Sequence, residues 1–194
     1  MADRVLGAAG ILGGAVLLAA FVVDIQDSVN VLRLVLFNLG AIGFVVATYR
    51  RQAPPGSRLF RLVASAAVLA NAWYLVMVLL SVGRPVLPEP DPDFRLAMFF
   101  AGLAMWLADS AFGFVSLRGG GLGRWGSLAL AVGSLLAILG MSHLELTSPT
   151  NPTIFGTLAL IGVAMNGIGW ILLGAAIVTG QGPARLPSPA ATAV

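Results

Sequence analysis

The stretch FRLAMFFAGLAMWLADSAFGFVSL, residues 94–117, holds a single ionisable side chain after Arg95, the carboxylate of Asp109. A helix needs ~20 mostly apolar residues to cross the ~30 Å hydrocarbon core of a bilayer. This stretch meets that requirement, and its reading as a membrane span sets the reading of the rest. Comparable stretches lie at 5–23, 31–49, 60–82, 125–141 and 153–179. The chain of 194 residues is 58% hydrophobic and 10% charged, against roughly 25% charged residues in a soluble domain. The pattern predicts an all-α, polytopic membrane bundle of six transmembrane helices. Strands would need alternating polarity and a closed barrel. One membrane domain over 1–180 is expected, followed by a disordered cytoplasmic tail at 181–194, QGPARLPSPAATAV from Gln181 onward.

The first span resembles a signal peptide in position only. Its apolar run is longer than the ~7–15 residues of a signal core, and no small-x-small cleavage site precedes Asp24. A retained helix is expected.

The net charge of +3 and the absence of lysine leave eleven arginines to set the orientation. Basic residues gather on the cytoplasmic side of membrane helices. Arg4, Arg50, Arg51, Arg58, Arg61, Arg118, Arg124 and Arg185 fall on one side of a six-span chain. Arg33, Arg84 and Arg95 fall on the other, with Asp24, Asp27, Glu89, Asp91, Asp93 and Glu145. Both termini are therefore expected in the cytoplasm, in the inner membrane of a bacterium, since exclusive use of arginine reads as GC-rich coding. The outer loop RPVLPEPDPDFR, with Pro85, Pro88, Pro90 and Pro92, reads as a stiff acidic spacer.

Small residues mark packing faces. Gly10 and Gly14 form a GxxxG pair in the first span, and Gly126, Gly133 and Gly140 line one stripe of the fifth. Glycine lets helix backbones approach closely in lipid.

Polar residues inside the spans are the candidate site: Asp109 with Asn38, Asn71 and Asn166. The ~1.5 Å rise per residue puts all four near one layer at mid-membrane. Tyr74, Trp106 and Trp170 lie three or four residues from them, on the same helix faces. Trp73, Trp106 and Trp170 sit well inside spans, and only Trp125 falls at an interface. An ionised Asp at the bilayer centre costs about 2.5–3.5 kcal/mol on insertion scales. No basic residue is level with Asp109, so a protonated or water-solvated carboxyl bonded to an asparagine or a hydroxyl is expected. Buried asparagines commonly join helices, at about 0.6 kcal/mol per contact.

The sequence excludes more chemistry than it names. There is no cysteine, and His143 is the only histidine. Disulfides, thiolate nucleophiles, iron–sulfur ligation and a bis-histidine haem are therefore out of reach. His143 and Glu145, in SHLELTSP, read as a solvated outer-loop pair, because two ligands make no metal site. HExxH and GxSxG motifs are absent. RGGGLGR at 118–124 comes after a membrane helix, whereas a phosphate loop comes after a strand. No enzyme, no cofactor and no nucleic-acid partner is expected; the partners are the bilayer, other membrane proteins, or a second copy.

The functional reading with most support is a structural or accessory membrane subunit or homo-oligomer. The first alternative is a small proton- or cation-coupled transporter or channel using Asp109. LANAWYLVM in the third span and AMNGIGWIL in the sixth echo each other, as two inverted three-helix halves would. The second alternative is lipid or quinone binding in an aromatic-lined intramembrane cavity.

Overall fold

The computed structural model describes residues 2–19, 27–52, 57–81, 92–118, 123–146 and 154–180. They form α1 (Ala2–Ala19), α2 (Asp27–Gln52), α3 (Arg58–Ser81), α4 (Pro92–Arg118), α5 (Arg124–Leu146) and α6 (Ile154–Thr179). All but α5 are long and apolar enough to cross a membrane. The stretch Arg124–Gly140 of α5 is a shorter apolar helix. It nevertheless lies along α6 at both ends, since a Cβ on Gly126 would meet Leu173 and one on Gly140 would meet Ala159. The chain is a helical, multi-pass membrane bundle. The end of the first span at 20–23, the proline loop up to Asp91 and the tail at 181–194 lie outside the described residues.

Local chemistry sets several helix ends. Ser57 caps α3: its Oγ accepts the Phe60 N–H at 3.3 Å, and its carbonyl accepts the Arg61 N–H at 3.2 Å. Pro92 opens α4, where a missing N–H leaves no intrahelical bond unmade. Gly180 comes directly after α6 with φ +74, a left-handed conformation that favours glycine. The fifth helix runs past the expected end at 141, through His143 and Glu145 to Leu146. Those two residues therefore belong to a helix's last turns, where a loop was expected.

Each helix packs on its neighbours in sequence, and α6 closes on α1, so the six form a ring. Glycine decides which seams are tight. Gly133 on α5 faces α6, where a Cβ would meet Asn166 N at 2.6 Å. Gly162 and Gly169 on α6 face back toward Ala137 and Leu130 of α5. Gly167 and Gly174 turn the other way, toward the carbonyls of Gly14 and Gly7 on α1. Each pair is seven residues apart, close to two turns, and so keeps to one stripe. Gly40 of α2 turns to α1 as well, facing the Ala9 carbonyl. The third helix contains no glycine, and Ala64, Ala67 and Ala70 lie on its buried face. Its contacts with α2 and α4 include the Tyr49–Phe60 ring pair and the Tyr74 ring beside Gly102.

The outward face of the bundle is apolar, and its polar membrane-level side chains are buried among an otherwise apolar core. Leu62 and Leu69 are 69% and 70% exposed, while Asn38, Asn71, Asp109 and Asn166 are fully buried. Lipid accommodates leucine and offers an amide no partner. Tryptophan burial separates the two halves of the sequence echo: Trp73 is 45% exposed and Trp170 only 1%. Trp73 is thus level with the membrane interior but faces outward.

Candidate functional site

Ring contacts set the register of the interior. Phe37 lies 6.4 Å from Trp106, and Phe44 lies 6.4 Å from Phe112, so α2 and α4 run parallel. Phe44 also meets Trp170 edge-on at 4.8 Å, which fixes α6 against α2. In this register Asp109 is level with Gly40 and Ala41, and Asn166 with Gly40. Asn38, Asp109 and Asn166 thus fall within about 5 Å along the bundle axis. Asn71 joins them through its bond to Asp109.

The layer resolves into separate ties. Asn71 Nδ2 donates to Asp109 Oδ1 at 2.9 Å, and also to the Ala67 carbonyl of its own helix at 2.9 Å. That bond joins α3 to α4 where glycine is lacking on α3. One residue on, Ser110 Oγ donates to the Ala131 carbonyl at 3.0 Å, joining α4 to α5. Asn166 Nδ2 donates to Ser134 Oγ at 2.8 Å, joining α6 to α5. Ser134 in turn donates to the Leu130 carbonyl at 2.8 Å. Asn38 remains within its own helix, donating to the Leu34 carbonyl at 2.7 Å.

Sequence reasoning missed Ser134 and Ser110. A signal for Ser134 was present: Ser127 and Ser134 adjoin Gly126 and Gly133, and both serines are fully buried beside that stripe. Hydroxyls next to a close helix contact are placed to bond across it.

The flanking aromatics do not touch Asp109 with polar atoms. Trp106 is 4% exposed and packs on Phe37. Tyr74 is half-buried, with its ring over Gly102. Trp170 is buried against Phe44, and its Nε1 has no hydrogen-bond partner among the described residues. Asp109 Oδ2, Asn71 Oδ1, Asn38 Oδ1 and Asn166 Oδ1 are also buried without a partner there.

About two turns toward the arginine-rich end, Thr48 and Ser116 share a second level. Both are buried, with hydroxyls unpartnered among the described residues. Between the two levels lies a block of rings. Phe44 meets Trp170 and Phe112, and Phe112 meets Phe60 at 5.9 Å. Phe44, Phe60, Phe112 and Trp170 are all buried at this height. A cavity of about 420 Å³ lies elsewhere, in an open groove between α2 and α3 lined by Tyr49 and Arg61 among others. Among the described residues no cluster of three or more metal-ligating side chains occurs. Comparison with known protein families, curated proteins and solved structures finds no match to this chain.

Proposed function

We propose that the chain is a non-catalytic, structural or accessory protein of a bacterial inner membrane, with both termini cytoplasmic. Its partners on this reading are the bilayer and other membrane proteins, or a second copy of itself. The observation that carries the reading is the ring block formed by Phe44, Phe60, Phe112 and Trp170. It separates the layer of Asp109 from the level of Thr48 and Ser116, which is where an aqueous route would have to continue. On the Asp109 side, Asn71, Ser110 and Asn166 tie neighbouring helices together.

A second reading, a proton site at Asp109, has one observation in its favour. The atoms left without a partner in the Asn71–Asp109 pair are both acceptors. A proton on Asp109 Oδ2 supplies the donor that the pair lacks. Proton flux in liposomes separates the two readings. Wild type and Asp109→Asn are expected to match protein-free vesicles, to within the assay's background. Flux in wild type that disappears in Asp109→Asn would overturn the accessory reading in favour of transport.

The orientation is tested independently, and the lack of native cysteine makes the test clean. Single Ser57→Cys and Ser81→Cys variants are expected to differ toward an impermeant thiol reagent. Ser81→Cys labels in intact cells, and Ser57→Cys labels only after permeabilisation. The opposite pattern inverts the proposed topology.

A further inference from the structure

We propose that the groove between α2 and α3 holds one acyl chain of an anionic phospholipid, whose phosphate is bound by Arg61. The cavity of about 420 Å³ is lined along α2 by Val45, Val46 and Tyr49, and along α3 by Arg61, Ser65 and Leu69, with further apolar side chains. Its volume falls within the ~300–1,000 Å³ of ligand sites. At this seam α2 turns its Gly40 and Gly43 toward α1 and α3 has no glycine, so larger side chains meet here. Tyr49, on its α2 wall, stacks on Phe60 of α3 at 6.1 Å.

Two features select the occupant. The first is length. Arg61, Ser65 and Leu69 recur every fourth residue along one face of α3, and from Arg61 to Leu69 is about 12 Å of helix. That is close to the ~15 Å depth of one leaflet's hydrocarbon. A chain lying along the groove has its head at Arg61 and its methylenes against Val46 and Leu69. The second is charge. Arg61 is exposed at the mouth, Arg58 lies one turn before it and also faces out, and exposed Arg50 adjoins Tyr49 on the other wall. Among the described residues lining the groove none is acidic. A guanidinium binds phosphate with two parallel hydrogen bonds. A second copy meeting this face across a two-fold axis would place arginine against arginine, and a neutral isoprenoid head would make no use of the charge. The assignment is independent of any role for Asp109, since neither Asp109 nor its partner Asn71 lines the groove.

The test is native mass spectrometry of the full-length protein in detergent, with equal amounts of dioleoylphosphatidylglycerol and dioleoylphosphatidylcholine added. One phosphatidylglycerol per chain is expected to be retained, with a preference over phosphatidylcholine of about five-fold or more, the scale of one arginine at an anionic surface. Arg61→Gln should abolish the preference while leaving phosphatidylcholine binding as it was. Ser65→Phe, which fills the groove from an exposed position, should reduce retention of both lipids. Arg118→Gln, at an exposed position on α4 outside the groove, should leave the preference intact. Equal retention by wild type, Arg61→Gln and Ser65→Phe overturns the site. Equal loss in Arg118→Gln overturns the role of Arg61 in favour of diffuse charge. A lipid-free dimer that Ser65→Phe dissociates overturns lipid in favour of a second copy.

Discussion

Replacing Gly162 by valine is expected to destabilise the bundle by about 1–3 kcal/mol or more, the range of overpacked interiors. A Cβ at this position would strike the backbone of α5, at the Ala137 amide and at the Gly133 carbonyl at 2.7 Å. Neither is the end of a flexible side chain, so the helices must separate. Separation weakens the contacts along the whole stripe, including the bond from Asn166 to Ser134. Thermal unfolding in detergent measures the loss. Gly102→Ala is the matched comparison, because its new Cβ would meet a Tyr74 ring carbon at 3.5 Å, an ordinary contact. That change should be neutral or stabilising, since alanine is favoured over glycine inside a helix by about 0.5–1 kcal/mol. Equal stability for Gly162→Val and wild type would mean that α5 and α6 do not pack as described.

Asp109→Leu should cost about 1–3 kcal/mol, the usual penalty for stranding a buried polar partner. The stranded group is one N–H of Asn71 Nδ2, which donates to Asp109 Oδ1 at 2.9 Å. Its other N–H keeps the Ala67 carbonyl, which places the cost toward the lower end of the range. Asp109→Asn should be tolerated better, because an amide both accepts from Asn71 Nδ2 and offers a donor to the unpartnered Asn71 Oδ1. The double change Asn71→Leu with Asp109→Leu should recover much of the loss, since replacing both partners removes the stranded group. Unfolding of the four proteins forms a double-mutant cycle across α3 and α4. If Asp109→Leu is as stable as wild type, the bond does not hold these helices together. A cost that the double change fails to recover would assign the loss to packing.

This pair bears on the accessory reading as well. An acid retained only as a tie between helices should be replaceable by its amide at no cost to function. An acid retained to carry a proton should not. Stability and flux of Asp109→Asn together therefore separate the structural role from the proposed alternative, and neither depends on lipid binding at Arg61.

The membrane class and the number of helices were legible in the sequence because they depend on local quantities. Long apolar runs such as 153–179 have one stable form in lipid, in which every backbone group bonds within its own segment. The buried face was legible as well. Asn38, Asn71, Asp109 and Asn166 are polar, lipid offers them nothing, and all four are fully buried. Even their common level comes from the rise of a helix. What no local rule supplies is the order of helices around the ring and the partner each side chain meets. Asp109 bonds to Asn71, whereas Asn166 bonds to Ser134 and Asn38 to its own helix. That division follows the packing: glycines bring α6 close to α1 and α5, while α3, which has none, meets α4 through the Asn71–Asp109 bond. The same packing leaves the groove beside Arg61. It also brings Phe44 of α2 against Trp170 of α6 across the centre. Helix-to-helix distance is a property of two surfaces in contact, and only the tertiary structure contains both.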